Sequence, residues 1–248
     1  MQNYQSATDL LKDRIILVTG AGSGIGRAAA LCFAKQGATV VLLGRTIKKL
    51  EAVYDEIEAL GYPMPAIIPL NLESATTEEY QEIATSIDNE FGRLDGLLNN
   101  AAILGQKTPI AGYKVETWQQ VLQVNLTAPF MLTQALLPLL EKSPDGSIVF
   151  TSSAVGRKGR AFWGAYGVSK FGIEGLMQTL ADELEGISST RVNCINPGAT
   201  RTAMREKAYP AENMEKNPKP EDIMNTYLYL LGPDSKGVTG QSLDAQPE

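Results

Sequence analysis

Short continuous apolar runs alternate along this chain with longer amphipathic stretches, and that alternation sets the first expectation of its fold. Residues 14–19 contain Ile15-Ile16-Leu17-Val18, the kind of β-branched run a strand shows when both of its faces are buried. Similar runs predict strands at 39–43, 66–70, 94–98, 145–151 and 190–195, with a short last one at 239–243. Between them, helix-forming stretches fall at 27–36, after Thr46 as far as Leu60, at 76–91, around Trp118 and 121–126, at 129–142, at 164–185 and at 221–231. Asn196-Pro197-Gly198 breaks the chain sharply. Residues 199–220 are mixed in charge, contain prolines and keep no strong period, a composition that suits a lid over a site. Strands that alternate with helices imply a parallel sheet covered on both faces. The expectation is one α/β domain over 1–248, doubly wound, with neither linker nor solenoid repeat.

Composition narrows the chemistry. The 248 residues are 44% hydrophobic and 20% charged, enough for one sizeable core. A net charge of -6 argues against nucleic acid as a partner. There is no histidine, which excludes Ser-His-Asp and Cys-His catalysis and removes the commonest metal ligand, so no metal is expected. Cys32 and Cys194 lie in apolar segments and read as buried free thiols of a reducing compartment. Residues 1–14 are polar and hold no apolar signal-peptide core, and no apolar run approaches ~18 residues. A cytoplasmic enzyme without membrane association is expected.

Two stretches carry candidate chemistry. Thr19-Gly20-Ala21-Gly22-Ser23-Gly24-Ile25-Gly26 joins a buried strand to a helix, where glycines let the backbone approach a pyrophosphate at the helix N-terminus. The next strand ends at Gly44-Arg45 instead of at a carboxylate, which favours a 2′-phosphate and so NADP over NAD, with Lys48 and Lys49 as further cations. Asn71, at the end of the third strand, stands where an adenine ring could be bonded, and Asn99-Asn100-Ala101-Ala102 ends the fourth; either Asn group serves ligand or backbone. The second stretch is 153–170. Tyr166 and Lys170 are one helical turn apart, and Ser153 follows the strand that ends in Thr151-Ser152. A neighbouring cation favours a phenolate and pulls the phenol's pKa down from ~10 toward neutrality. Asn125, polar in an apolar segment, either bends a helix or holds a water.

In this order the motifs resemble those of the short-chain dehydrogenases/reductases over essentially the whole chain. They are T-G-x-x-x-G-x-G at 19–26, N-N-A at 99–101, Asn125, Ser153, Y-x-x-x-K at 166–170 and P-G-x-x-x-T at 197–202. L-G-R-T, G-R-K-G-R-A-F-W-G-A-Y and N-P-G-A-T-R-T-A-M-R look more closely like a bacterial subgroup of that family with poorly defined substrates. The resemblance implies a Rossmann-like fold and hydride transfer between NADP(H) and a small carbonyl or alcohol. It makes Tyr166 the general acid/base, Lys170 the residue that lowers its pKa and bonds the nicotinamide ribose, and Ser153 the group that orients the substrate oxygen. Asn125 would hold a water in a relay toward Lys170. For the cofactor it implies Gly20, Gly22, Ser23, Gly24, Ile25 and Gly26 at the pyrophosphate and Asn71 and Leu72 at the adenine. It adds Asn100 and Ala101 within the site and Pro197, Gly198 and Thr202 at the carboxamide.

Asn71 and Ala102 depart from the family's common Asp and Gly, and Ser23 stands where some NADP-preferring members have a basic residue. Members usually form homodimers or homotetramers, here through the helices at about 115–142 and 164–185. A sensor or scaffold that binds NADP(H) without turnover is the alternative, and the complete Asn125, Ser153, Tyr166, Lys170 set weighs against it. A sugar-nucleotide epimerase would carry a different glycine spacing. Arg157, Lys158, Arg160, Phe162 and Trp163 either shape the substrate pocket or pack a loop or interface, with Arg160 or Arg201 the candidate for an anionic group.

Overall fold

Seven strands build one parallel sheet among residues 4–246, the part of the chain that the computed structural model describes. They are β1 (Ile15–Thr19), β2 (Thr39–Gly44), β3 (Ala66–Pro69), β4 (Gly96–Asn99), β5 (Ser147–Thr151), β6 (Arg191–Asn196) and β7 (Ser242–Asp244). Their order is β3-β2-β1-β4-β5-β6-β7, so the chain winds outward from β1 in one direction and then returns to β4 on its other side. The strand order therefore reverses between β1 and β4. In open sheets of this kind a ligand crevice forms there, at the carboxyl ends of the strands.

The apolar runs lie where two-sided burial requires. Leu17, Val41, Leu97 and Ile148 point to one face, packed by α3 (Thr77–Phe91), α5 (Ala128–Glu141) and α6 (Gly164–Leu184). Their neighbours Ile16, Val18, Val40, Leu98 and Val149 point to the other, packed by α1 (Gly24–Lys35), α2 (Ile47–Ala59) and α8 (Met224–Leu231). Each such side chain is almost wholly buried and contributes about 1.5–3 kcal/mol through burial. At the amino ends of the strands, Arg191 bonds Asp145 and the carbonyls of Leu230 and Gly232, fastening β6 to the last turn of α8 and the residue after it.

Several expected boundaries shift. Thr76 is the cap of α3 and not part of it: its Oγ1 accepts from the Glu79 amide while the Glu79 carboxylate accepts from the Thr76 amide. The last helix begins as a 3₁₀ turn, Pro220–Ile223, and only then becomes α8. The last strand starts three residues later and ends one later than its apolar pattern suggests, because β7 is a half-buried edge strand. α4 (Val115–Leu122) runs into α5 through a π-helical turn at Gln123–Thr127, which holds Asn125. Residues 199–220 hold a short helix, α7 (Ala203–Ala208), and a 3₁₀ turn at Met214–Lys216. Arg201 ties this segment together by donating to the carbonyls of Met214, Glu215 and Asn217. No helix of the described residues is long and apolar enough to cross a membrane.

Candidate active site

A cleft of about 420 Å³ opens along the carboxyl ends of the strands, where the strand order reverses. Its floor is the turn after β1. Gly20 and Gly24 sit at φ 69° and 55°, a region in which a side chain is strained. A Cβ at Gly22 would lie 2.9 Å from the Cβ of Lys49. Thr19, buried beneath, accepts through Oγ1 from the amides of Asn100 and Ala101 at 2.9 Å each, which ties the turn to the end of β4. The N-cap of α1, Ser23, makes no side-chain bond to the first turn, whose residues Gly24 and Ile25 line the cleft.

Gly26 alone among the expected glycines does not line the cleft. A Cβ there would stand 2.3 Å from the Gly20 carbonyl oxygen and 2.7 Å from Asn100 Nδ2. The third glycine therefore lets α1 pack against the turn and does not touch the ligand space, a correction to its expected place at the pyrophosphate. Gly26→Ala is expected to destabilise the fold by about 3 kcal/mol, the upper end of overpacking, because both neighbours are held by backbone. Thermal unfolding should fall by roughly 6–12 °C. An unchanged midpoint would show that the turn can relax.

Most of the other expected cofactor residues do line the cleft: Gly20, Gly22, Ser23, Gly24, Ile25, Arg45, Asn71, Leu72, Asn100, Ala101, Tyr166, Lys170, Pro197, Gly198 and Thr202. Arg45 and Lys49 are exposed at the end beyond β2, whereas Lys48 is outside the cleft. The Asn71 Oδ1 accepts locally from the Glu73 amide. Asn100 bonds the Thr19 carbonyl and the Thr151 hydroxyl. Thr202 caps α7 by accepting from the Arg205 amide.

At the other end of the cleft stand Ser153, Tyr166 and Lys170. Ser153 leaves the end of β5, and α6 carries the other two. Tyr166 and Lys170 are 8% and 3% exposed, and the Lys170 ammonium donates to the Thr151 carbonyl at 2.6 Å. That ammonium lies 5.7 Å from the centre of the Tyr166 ring. Burial pushes the Tyr166 phenol up to about 12, against a smaller downward pull from the Ser153 hydroxyl. Burial likewise brings Lys170 down to about 8, partly offset by Cys194 and Glu174. The shift therefore runs opposite to the expected one, because burial of the phenol outweighs the pull of the Ser153 hydroxyl. At neutral pH the phenol holds its proton.

Asn125 does not line the cleft. Its amide nitrogen donates to the Ile103 carbonyl at 2.9 Å and to Ser169 Oγ at 3.1 Å, and its oxygen accepts from the Ile103 amide at 2.8 Å. The side chain fastens the loop after β4 to α6 within the π-helical turn.

The apolar walls of the cleft include residues that no motif marks, Ile103, Leu104 and Ala208, together with Met204. The Trp163 ring packs at a tilt of 50° against those of Tyr166 and Tyr209, with centres 5.4 and 5.9 Å away. Phe162, exposed at φ 71°, turns the chain just before it, a conformation that costs a non-glycine residue about 1–2 kcal/mol. Lys107 sits 4.7 and 4.2 Å from the Trp163 and Tyr209 ring centres and donates to the Ala208 carbonyl. Neither Arg160 nor Arg201, the candidates for an anionic group, reaches the cleft, and Arg157 is engaged elsewhere. Arg157 pairs with Asp244, Arg201 is spent on backbone carbonyls, and Arg160 is exposed outside the cleft. Arg205, which lines it, is paired with Glu212.

Known proteins resemble this chain over nearly its whole length. A family model for short chain dehydrogenases matches residues 14–213. The chain is 54% identical over 245 residues to YciK of Escherichia coli K12, described as an uncharacterized oxidoreductase, covering 99% of this chain and 96% of that one. A Pseudomonas syringae protein described as a short chain dehydrogenase superposes with a TM-score of 0.97 at 62% identity, over 98% of this chain and 99% of its own. A protein of Escherichia coli CFT073 solved with NADPH superposes with a TM-score of 0.94 at 55% identity, over 96% and 99% of the two chains.

Proposed function

This chain belongs to the short chain dehydrogenase family, and from that premise we propose that it exchanges a hydride between NADP(H) and a small carbonyl or alcohol substrate, with Tyr166 exchanging the proton. The observation that carries this reading is the convergence of Ser153, Tyr166 and Lys170 at one end of the cleft whose other end holds the glycine turn and Arg45.

The residues present fit a dinucleotide. The first turn of α1 has no side-chain cap, so its N–H groups and the positive end of the helix are available to a pyrophosphate. Arg45, with Lys49 beside it, is placed for a 2′-phosphate, in keeping with the NADPH bound by the Escherichia coli CFT073 protein. The nicotinamide, when bound, supplies the hydride. The chain's own residues hold the substrate and handle the proton. Tyr166, protonated at neutral pH, is loaded to give its proton to a carbonyl oxygen as that oxygen gains charge. Ser153 donates to the same oxygen and orients it. Lys170, fixed on the Thr151 carbonyl, stabilises the phenolate left behind. Because the Asn125 side chain is already bonded to protein groups, any water it contributes to a relay hangs from its backbone in the π-helical turn.

Residues 199–220 act in this reading as a lid, closed against Trp163 through Tyr209 and Lys107. The apolar walls and the already paired Arg205 favour an uncharged substrate. We place the protein in the cytoplasm as a homodimer or homotetramer, with Phe130, Val168 and Phe171 as exposed apolar residues of α5 and α6 for that contact. A panel of ketones, aldehydes and alcohols, followed by the absorbance of NADPH, should give turnover with at least one uncharged carbonyl. Tight NADPH binding with no turnover across the panel would instead support a binder without chemistry.

A further inference from the structure

Glu174 stands one helical turn after Lys170 on α6, is 6% exposed, and plays no part in the mechanism above. Its Oε1 accepts from Ser152 Oγ at 2.5 Å and from Ser242 Oγ at 2.8 Å. Arg157 Nε lies 3.8 Å from the same oxygen. Arg157 also donates to Ser242 Oγ at 3.0 and 2.8 Å and to both Asp244 oxygens at 2.8 and 2.9 Å. Asn196 Nδ2 completes the line by donating to Asp244 Oδ1 at 2.7 Å. Charges of alternating sign therefore run from Lys170 through Glu174 and Arg157 to Asp244 at the edge of the sheet.

A buried carboxylate is expensive unless it is paired and hydrogen-bonded. Two features of its setting explain this one. Its helix neighbour Lys170 is itself a buried cation, bound to the Thr151 carbonyl. Its partner Ser152 lies between Thr151, which holds that cation, and Ser153, which lines the cleft. Glu174 thus grips the middle residue of a segment whose two outer residues serve the site.

We propose that Glu174 is a positioning residue: its carboxylate balances the Lys170 ammonium and, through Ser152, fixes the Thr151 carbonyl and Ser153, while Arg157 holds the carboxylate from the far side. The inference rests on the reading of Lys170 as the cation that serves Tyr166. The titratable and charged groups around the pair are Tyr166 on α6 itself, Arg157 after β5, Cys194 on β6, Asp244 on β7 and Tyr227 on α8. The Cys194 thiol and the Tyr227 phenol are both pushed up, chiefly by burial, and stay neutral. Glu174 and Arg157 are then the charges that oppose each other at Lys170. Removing the carboxylate leaves Arg157 as the nearer opposing charge to the ammonium, and removing Arg157 leaves the carboxylate acting on Lys170 without competition.

The test is a titration of Lys170 in the full chain carrying 13C-labelled lysine, its signal identified by its absence in Lys170→Arg. Glu174→Gln should lower the midpoint by about one pH unit, a tenfold change in acidity. Arg157→Gln should raise it by a smaller amount, and that rise alone decides the matter should Glu174→Gln fail to fold. A purely structural role does not move the two variants in opposite directions. A midpoint unmoved by either change, or moved the same way by both, overturns the proposal. Since the titration needs no turnover, its failure is separable from a failure of the proposed function, which Tyr166→Phe reports.

Discussion

Tyr166→Phe is expected to lower turnover roughly 10³-fold while leaving NADPH affinity nearly unchanged, because proton transfer by a positioned side chain contributes on that order. The substitution removes one oxygen and keeps the ring. The ring packs against Trp163 in a buried position, so the shape of the pocket survives. The backbone carbonyl of Tyr166, which accepts from Ser169 Oγ, is untouched. Phe cannot donate to a substrate oxygen, and Ser153 is a poor substitute. Turnover measured beside a fluorescence titration with NADPH separates the two quantities. A rate within a few-fold of wild type would remove Tyr166 from the reaction, and a large loss of affinity would make its role one of binding.

Arg45→Ala should weaken NADPH by roughly 10- to 150-fold and leave NADH almost unaffected, since charged hydrogen bonds contribute about 1.5–3 kcal/mol. The direction follows from the end of β2, where Gly44 precedes an exposed guanidinium and no carboxylate is present to repel a 2′-phosphate. The remaining Lys49 keeps part of the preference. Because both cations are exposed, added salt should narrow the gap between the two cofactors in the wild type. Calorimetric titration of both cofactors against both proteins checks this. Equal losses for NADPH and NADH would place Arg45 outside the 2′-phosphate site.

The fold is legible in the sequence because central parallel strands are buried on both faces and read as unbroken apolar runs, as in Ile15 to Val18. β7 escapes its expected place for the opposite reason: Ser242, Leu243 and Asp244 are all half-buried and carry no such run. In the site, residues tied to a local backbone need are readable, notably Gly20 and Gly24 at positive φ. Residues whose role depends on a distant partner are not. Arg157 reads as either a pocket or a packing residue until Ser242 and Asp244, far along the chain, claim it. Arg201 reads as a candidate for an anionic group until backbone carbonyls of the segment it precedes take its donors. The π-helical turn around Asn125 has no periodic signature. The direction of the Tyr166 shift is lost to the sequence because the spacing of Tyr166 and Lys170 says nothing of how deeply the phenol is buried.

The central claim, hydride exchange with NADP(H) assisted by Tyr166, is tested most directly by product analysis with NADPH deuterated at the transferable position. The wild-type protein should return an alcohol that carries the deuterium from at least one uncharged carbonyl, and Tyr166→Phe should return almost none. NADPH bound tightly by both proteins, with no labelled alcohol from either, would contradict it.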